Sequence, residues 1–211
     1  MAHIVLLMLF DDVDTLDFCG PLEVFSITGQ RAIGPVPFSV TTVAERQLPP
    51  VTTRSGLRVT PYYTYANAPQ ADILIVPGGL GARHEQHNPA TVNFVRQQAR
   101  EAEIVFSVCT GALLLGAAGL LDGLRATTHH RAMDELAETA PACSIVRGVR
   151  YVDSGKIITS AGIATGSHVS PAPISHWGLY HSSEPNMARR PSVPHRTQWK
   201  PPGSSLNCRL A

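Results

Sequence analysis

Apolar positions along the chain gather into short runs broken by polar punctuation. His3–Phe10, Phe38–Ala44, Asp72–Val76, Ile104–Val108 and Arg125–Thr128 are brief and rich in β-branched residues, the pattern of parallel strands buried on both faces. Helical stretches alternate with them. Pro21–Thr28 opens with proline at a first helical position, Pro89–Ala102 follows a capping Asn88, and Ala112–Leu121 runs up to Asp122-Gly123. Met133–Thr139 predicts a further helix. Thr52–Tyr65 and Tyr151–Ser160 read as hairpin excursions, the second turning at Asp153-Ser154-Gly155. The alternation predicts a three-layer α/β sandwich, flavodoxin-like, around a mostly parallel sheet.

The pattern fails after Gly166. Residues 167–211 hold seven of the 17 prolines and five of the 17 Lys and Arg, but one of the 16 acids, Glu184. The segment is therefore basic where residues 1–166 are acidic, and no 3.6-residue apolar period survives in it. The expected organisation is one domain over 1–166 and an irregular extension over 167–211.

Composition narrows the partners. At 211 residues and 44% hydrophobic content the chain can bury a sizeable core, and its formal charge of +1 is spread without a basic stripe. Nucleic acid and acidic membrane surfaces are not expected partners; a small molecule is. The opening M-A-H-I-V-L-L-M-L-F lacks a basic leader and a cleavage site and is shorter than a membrane span, so it reads as a buried strand. Cys19, Cys109, Cys143 and Cys208 are scattered without a C-x-x-C pair, which fits a reducing cytoplasm rather than a disulfide framework or a zinc ribbon.

Candidate chemistry gathers at strand ends. Cys109 falls between a strand and a helix, at the carboxyl edge where open α/β sheets bind ligands. A free cysteine is more often a small buried hydrophobe, but the polar pair Thr110-Gly111 at the seam favours a nucleophile elbow. The helix N-terminus predicts a stabilised thiolate there. Gly78-Gly79 ends another strand, either as a plain turn or as backbone N–H groups close to a substrate anion. His129 ends the Arg125–Thr128 strand, where imidazole could orient or protonate a group beside Cys109; the plain alternative is a packed polar residue. Asp17 lies among apolar neighbours, so burial would raise its pKa and make it a proton donor, with a capping role as the alternative. Asp11, Asp12 and Asp14 read as solvated loop residues. His84-Glu85-Gln86-His87 offers two imidazoles without an evident third ligand, so no metal site is expected.

L-D-F-C-G-P-L-E-V-F at 16–25, I-V-P-G-G at 75–79, S-V-C-T-G at 107–111, G-L-L-D-G-L-R-A-T-T-H at 119–129 and T-S-A-G-I-A-T-G at 159–166 occur in this order. Together they resemble the ThiJ/PfpI family of the class I glutamine-amidotransferase-like fold, and within it the isonitrile hydratases. The resemblance implies cysteine-dependent hydration of isonitriles to N-substituted formamides, with Cys109 as nucleophile and Asp17 as its hydrogen-bonded proton donor. It places the Thr110 backbone and Gly78-Gly79 on the anion-stabilising side and His129 near the thiol. It further implies a homodimer without metal or organic cofactor. AraC-type regulators carry a similar sensor domain before a helix-turn-helix module, and related thiol hydrolases act on acyl or aldehyde substrates; both stand as alternatives. Two features depart from the family: Cys19, a second thiol expected near the site, and G-S-H-V-S-P-A-P, which cannot supply the apolar helix that normally follows the segment matching Gly162–Gly166.

Overall fold

The computed structural model describes residues 2–28 and 37–162. The expected extension over 167–211, with Cys208, lies outside them.

The first apolar run forms β1 (His3–Met8), buried from Val5 to Met8, and the chain turns through an acidic loop into α1 (Thr15–Ile27). This helix starts six residues before Pro21. Asp14 takes the N-cap position in extended conformation, and Asp17, Phe18, Pro21 and Phe25 form its buried side. Proline was expected at the first turn; here it sits inside the helix, where its lack of an N–H leaves one ladder bond unmade. β2 (Phe38–Ala44) pairs parallel with β1. The next excursion divides: β3 (Val51–Thr52) and β4 (Arg58–Val59) form an antiparallel hairpin, while β5 (Tyr63–Thr64) joins the main sheet beside β2.

β6 (Ile73–Val76) is buried throughout and pairs parallel with β1. A short α2 (Ala82–Glu85) leads to α3 (Pro89–Glu101), where Asn88 accepts the Ala90 N–H at 3.0 Å as the expected cap. β7 (Ile104–Val108), also fully buried, then enters a 3₁₀ turn over Cys109–Gly111 and α4 (Ala112–Ala117). Gly119, at φ 72°, ends that helical segment earlier than the apolar run suggested.

The expected strand Arg125–Thr128 is corrected. Only β8 (Arg125–Ala126) forms, and it pairs with β9 (Ser144–Ile145), beyond α5 (Met133–Thr139), in a separate two-stranded sheet. The place beside β7 belongs to β11 (Ile157–Ser160), whose hairpin partner is β10 (Tyr151–Ser154). The reason is burial: every residue of β11 is buried, while Arg125 is exposed and would carry a charge into the sheet. Tyr151–Ser160 is thus a sheet component as well as a hairpin.

The main sheet runs β10-β11-β7-β6-β1-β2-β5, parallel except for β10 against β11. From β1 the chain crosses to β2 on one side and later to β6 on the other. That reversal opens a crevice at the carboxyl ends of β1 and β6. Among the described residues no helix is long and apolar enough to cross a membrane.

Candidate active site

Three loops meet at this crevice. The loop after β7 presents Cys109 with φ 55°, a left-handed conformation that costs a residue with a Cβ about 1–2 kcal/mol. Packing holds it there. A Cβ on Gly111 would lie 2.1 Å from the Val76 carbonyl oxygen, so the turn rests directly on the end of β6. Thr128 Oγ1 donates to the Cys109 carbonyl at 2.8 Å and fixes the elbow from the other side.

The loop after β6 locks onto the first. Thr110 Oγ1 accepts the Gly79 N–H at 2.9 Å and lies 3.0 Å from the Gly79 carbonyl, to which it donates. Gly78 donates its N–H to Asp17 Oδ2 at 3.1 Å. A Cβ on Gly78 would lie 2.6 Å from Thr110 N and 2.8 Å from both Asp17 Oδ2 and Cys109 Cβ. The glycine pair therefore permits close approach of the two loops and α1, and both of its N–H groups are engaged by side chains. The Thr110 N–H instead faces the Cys109 thiol.

Asp17 completes the cluster from α1. It is 0% exposed, its Oδ1 has no hydrogen-bond partner among the described residues, and it lies within hydrogen-bonding reach of the Cys109 thiol. Burial, and then the neighbouring Asp14 charge, push its pKa up to about 7 against the opposing Gly78 and Cys109 hydrogen bonds. Ligand atoms of Asp14, Asp17 and Cys109 all lie within 4.8 Å of one another. Asp14 thus belongs to the cluster rather than to a solvated loop.

The expectation of a stabilised thiolate is corrected. Cys109 is 4% exposed, and burial followed by the charges of Asp17 and Asp14 pushes its thiol up to about 12. The Thr110 hydrogen bonds oppose this without reversing it. The site pairs a thiol with a carboxyl that keeps its proton close to neutral pH. Iodoacetamide at pH 7 is therefore expected to label the half-buried Cys19 and Cys143 before Cys109, with Cys109 labelling rising into the alkaline range. Peptide mass spectrometry would read the order, and Cys109 reacting first below pH 7 would contradict the raised thiol.

His129 follows the Thr128 clamp and is partly exposed, with Nδ1 accepting the Arg131 N–H at 3.4 Å. Burial, then the charges of His130, Arg131 and Arg83, lower its pKa and favour the neutral ring. The groups acting on the Cys109 thiol are Asp17, Asp14 and Thr110. Cys19 lies two residues beyond Asp17, half-buried and outside the cluster. Residues 84–87 serve other contacts: Glu85 accepts from Asn88 and Thr91, and Gln86 contacts Arg83, Glu135 and Thr139. Sequence reasoning missed Asp14 and Thr128. Their signals were an acid three residues before Asp17 and the threonine pair ahead of His129.

A strained cysteine elbow at the crevice of a mostly parallel sheet, faced by a buried carboxyl, defines a flavodoxin-like thiol-site protein. The chain belongs to the DJ-1/PfpI family, which it matches over residues 3–170. It is 38% identical to an isonitrile hydratase from Pseudomonas putida over 166 residues, covering 79% of this chain and 68% of that protein. It is also 33% identical to the transcriptional regulator GbdR from Pseudomonas aeruginosa over 109 residues, 52% of this chain and 29% of the regulator. A ThiJ/PfpI family protein from Pseudomonas syringae has a similar structure, with TM-score 0.74 and 26% identity over 89% of this chain and 79% of that one.

Proposed function

We propose that the protein hydrates isonitriles to N-substituted formamides, with Cys109 as nucleophile and Asp17 as the group that moves its proton. The observation carrying this reading is the Asp17 carboxyl, buried against the thiol with a pKa near neutrality. A group poised there can accept and return a proton at working pH.

The chemistry needs both partners. The Cys109 sulfur bonds to the terminal carbon of R–N≡C while its proton passes through Asp17 to that same carbon, giving the thioimidate R–N=CH–S. Water then adds to the C=N carbon, the C–S bond breaks, and R–NH–CHO leaves as the thiol regains a proton. The sum is one isonitrile and one water to one formamide. A thiol that keeps its proton until the substrate arrives suits a first step that adds both sulfur and hydrogen to the same carbon. Thr110 positions the glycine loop, and its N–H faces the reacting sulfur. Gly78 orients Asp17 through its N–H. His129 stands at the rim as a neutral substrate-contacting group. The reading takes the working unit as a cytoplasmic homodimer acting on a small molecule without metal or organic cofactor.

Incubation with cyclohexyl isocyanide should yield N-cyclohexylformamide, with solvent deuterium on the formyl carbon and ¹⁸O from labelled water. Consumption of methylglyoxal in place of isocyanide would favour the related thiol enzymes. The GbdR match supports a second reading as a sensor module, which predicts ligand binding without turnover.

A further inference from the structure

The hydration scheme gives Asp14 no contact with the substrate beyond the influence of its charge on Asp17, yet it is held with some care. It occupies the N-cap position of α1 but makes no side-chain capping bond, so its carboxylate is not used on the helix. Its backbone N–H donates to the Gly78 carbonyl at 3.0 Å, tying it to the loop that orients Asp17. Its carboxylate lies within 4.8 Å of the reactive atoms of Asp17 and Cys109. Those two residues are buried, whereas the Asp14 side chain is 20% exposed. Asp14 is therefore the member of the cluster that reaches solvent. Its cationic neighbour is Arg54 Nη1 at 3.9 Å, on a 63% exposed side chain at the tip of the β3–β4 hairpin.

We propose that Asp14 is a specificity-determining residue, a fixed carboxylate at the mouth of the site that admits uncharged electrophiles to Cys109 and turns anions away. The inference rests on Cys109 being the nucleophile and narrows the substrate to neutral molecules. A negative charge on an incoming reagent must pass within a few ångströms of Asp14, where water is partly excluded and screening is weak. Arg54, exposed and near contact distance, offsets part of that field.

The test uses reagents matched in shape and different in charge. Cys109 alkylation by iodoacetamide and by iodoacetate is measured at pH 9 by peptide mass spectrometry, each rate divided by that of free cysteine. The wild type should prefer the neutral reagent by about 10-fold or more beyond free cysteine. Asp14→Asn should reduce that preference about 5-fold, and the surface variant Arg54→Ala should increase it. In parallel, kcat/KM for methyl isocyanoacetate should exceed that for isocyanoacetate, with the gap narrowing in Asp14→Asn. A wild-type ratio equal to that of free cysteine, or one unmoved by Asp14→Asn, overturns the proposal. Charge selection in alkylation without isocyanide hydration upholds Asp14 and removes the hydratase reading. A thiol inert to all four compounds removes both.

Discussion

Cys109→Ala is expected to lower formamide production by on the order of 10⁴-fold or more, and Asp17→Asn by about 10²-fold or more. The double variant should be no slower than Cys109→Ala alone, because Asp17 acts only on the proton of that thiol. Additive losses would mean that the carboxyl works independently of the sulfur. The same substitution at Asp17 should stabilise the fold, with a sign that can be worked out. Its carboxyl goes from an ordinary 3.8 to about 7 on folding. Between those values the unfolded chain gives up its proton first, so the wild type loses stability as pH rises through this window and levels off above 7. Ionised and buried, the carboxylate costs the fold on the order of 4 kcal/mol relative to a neutral group. Asp17→Asn should therefore have the higher Tm at pH 8 and nearly the wild-type Tm at pH 4. A difference that stays constant across that range would show Asp17 titrating alike in folded and unfolded chains. Higher stability with lower turnover is the signature of a group kept for chemistry.

Gly111→Ala should remove the folded protein from the useful range. The added carbon would stand 2.1 Å from the Val76 carbonyl oxygen and 2.8 Å from that of Pro77, and neither backbone atom can swing aside as a side-chain tip would. Overpacking against backbone should cost about 3 kcal/mol or more. Gly155→Ala is the control: its φ of 83° strains any side chain, but nothing lies within 4 Å of the new carbon. About 1–2 kcal/mol is expected there. Urea titrations of both variants would separate the effects, and equal losses would mean that the elbow yields to the extra carbon.

Much of this arrangement was legible in the chain because burial on both faces leaves a plain mark. β1, β6 and β7 are mostly apolar runs, and Cys109 stands where one of them stops. The match was poorer where long-range packing decided. Arg-Ala-Thr-Thr and Ile-Ile-Thr-Ser are both short and β-prone, and only the exposure of Arg125 and burial of Ile157–Ser160 decide which lies beside β7. α1 extends upstream of Pro21 because Phe18 buries there, a tertiary gain that outweighs a proline inside the helix. The thiol was misread for a related reason. A helix N-terminus suggests a low pKa, but burial, and then the charges of Asp17 and Asp14 some ninety residues away in sequence, outweigh it.

The β3–β4 hairpin divides these contributions along the chain. Its tip turns at Gly56, with φ 85° and open space around it, and it lies after Asp14 and Asp17 but before Gly78, Cys109, Thr110 and Thr128. A break at that tip would leave Asp14 and Asp17 on one fragment and the Cys109 sulfur with its clamps on the other. Neither fragment holds Cys109 together with Asp17, and rejoining them depends on β1 pairing with β6, β2 with β5 and β3 with β4. Under the proposed hydration, two halves cut at this tip and each fused to one of two associating proteins should produce formamide only when the association brings Asp17 back to Cys109.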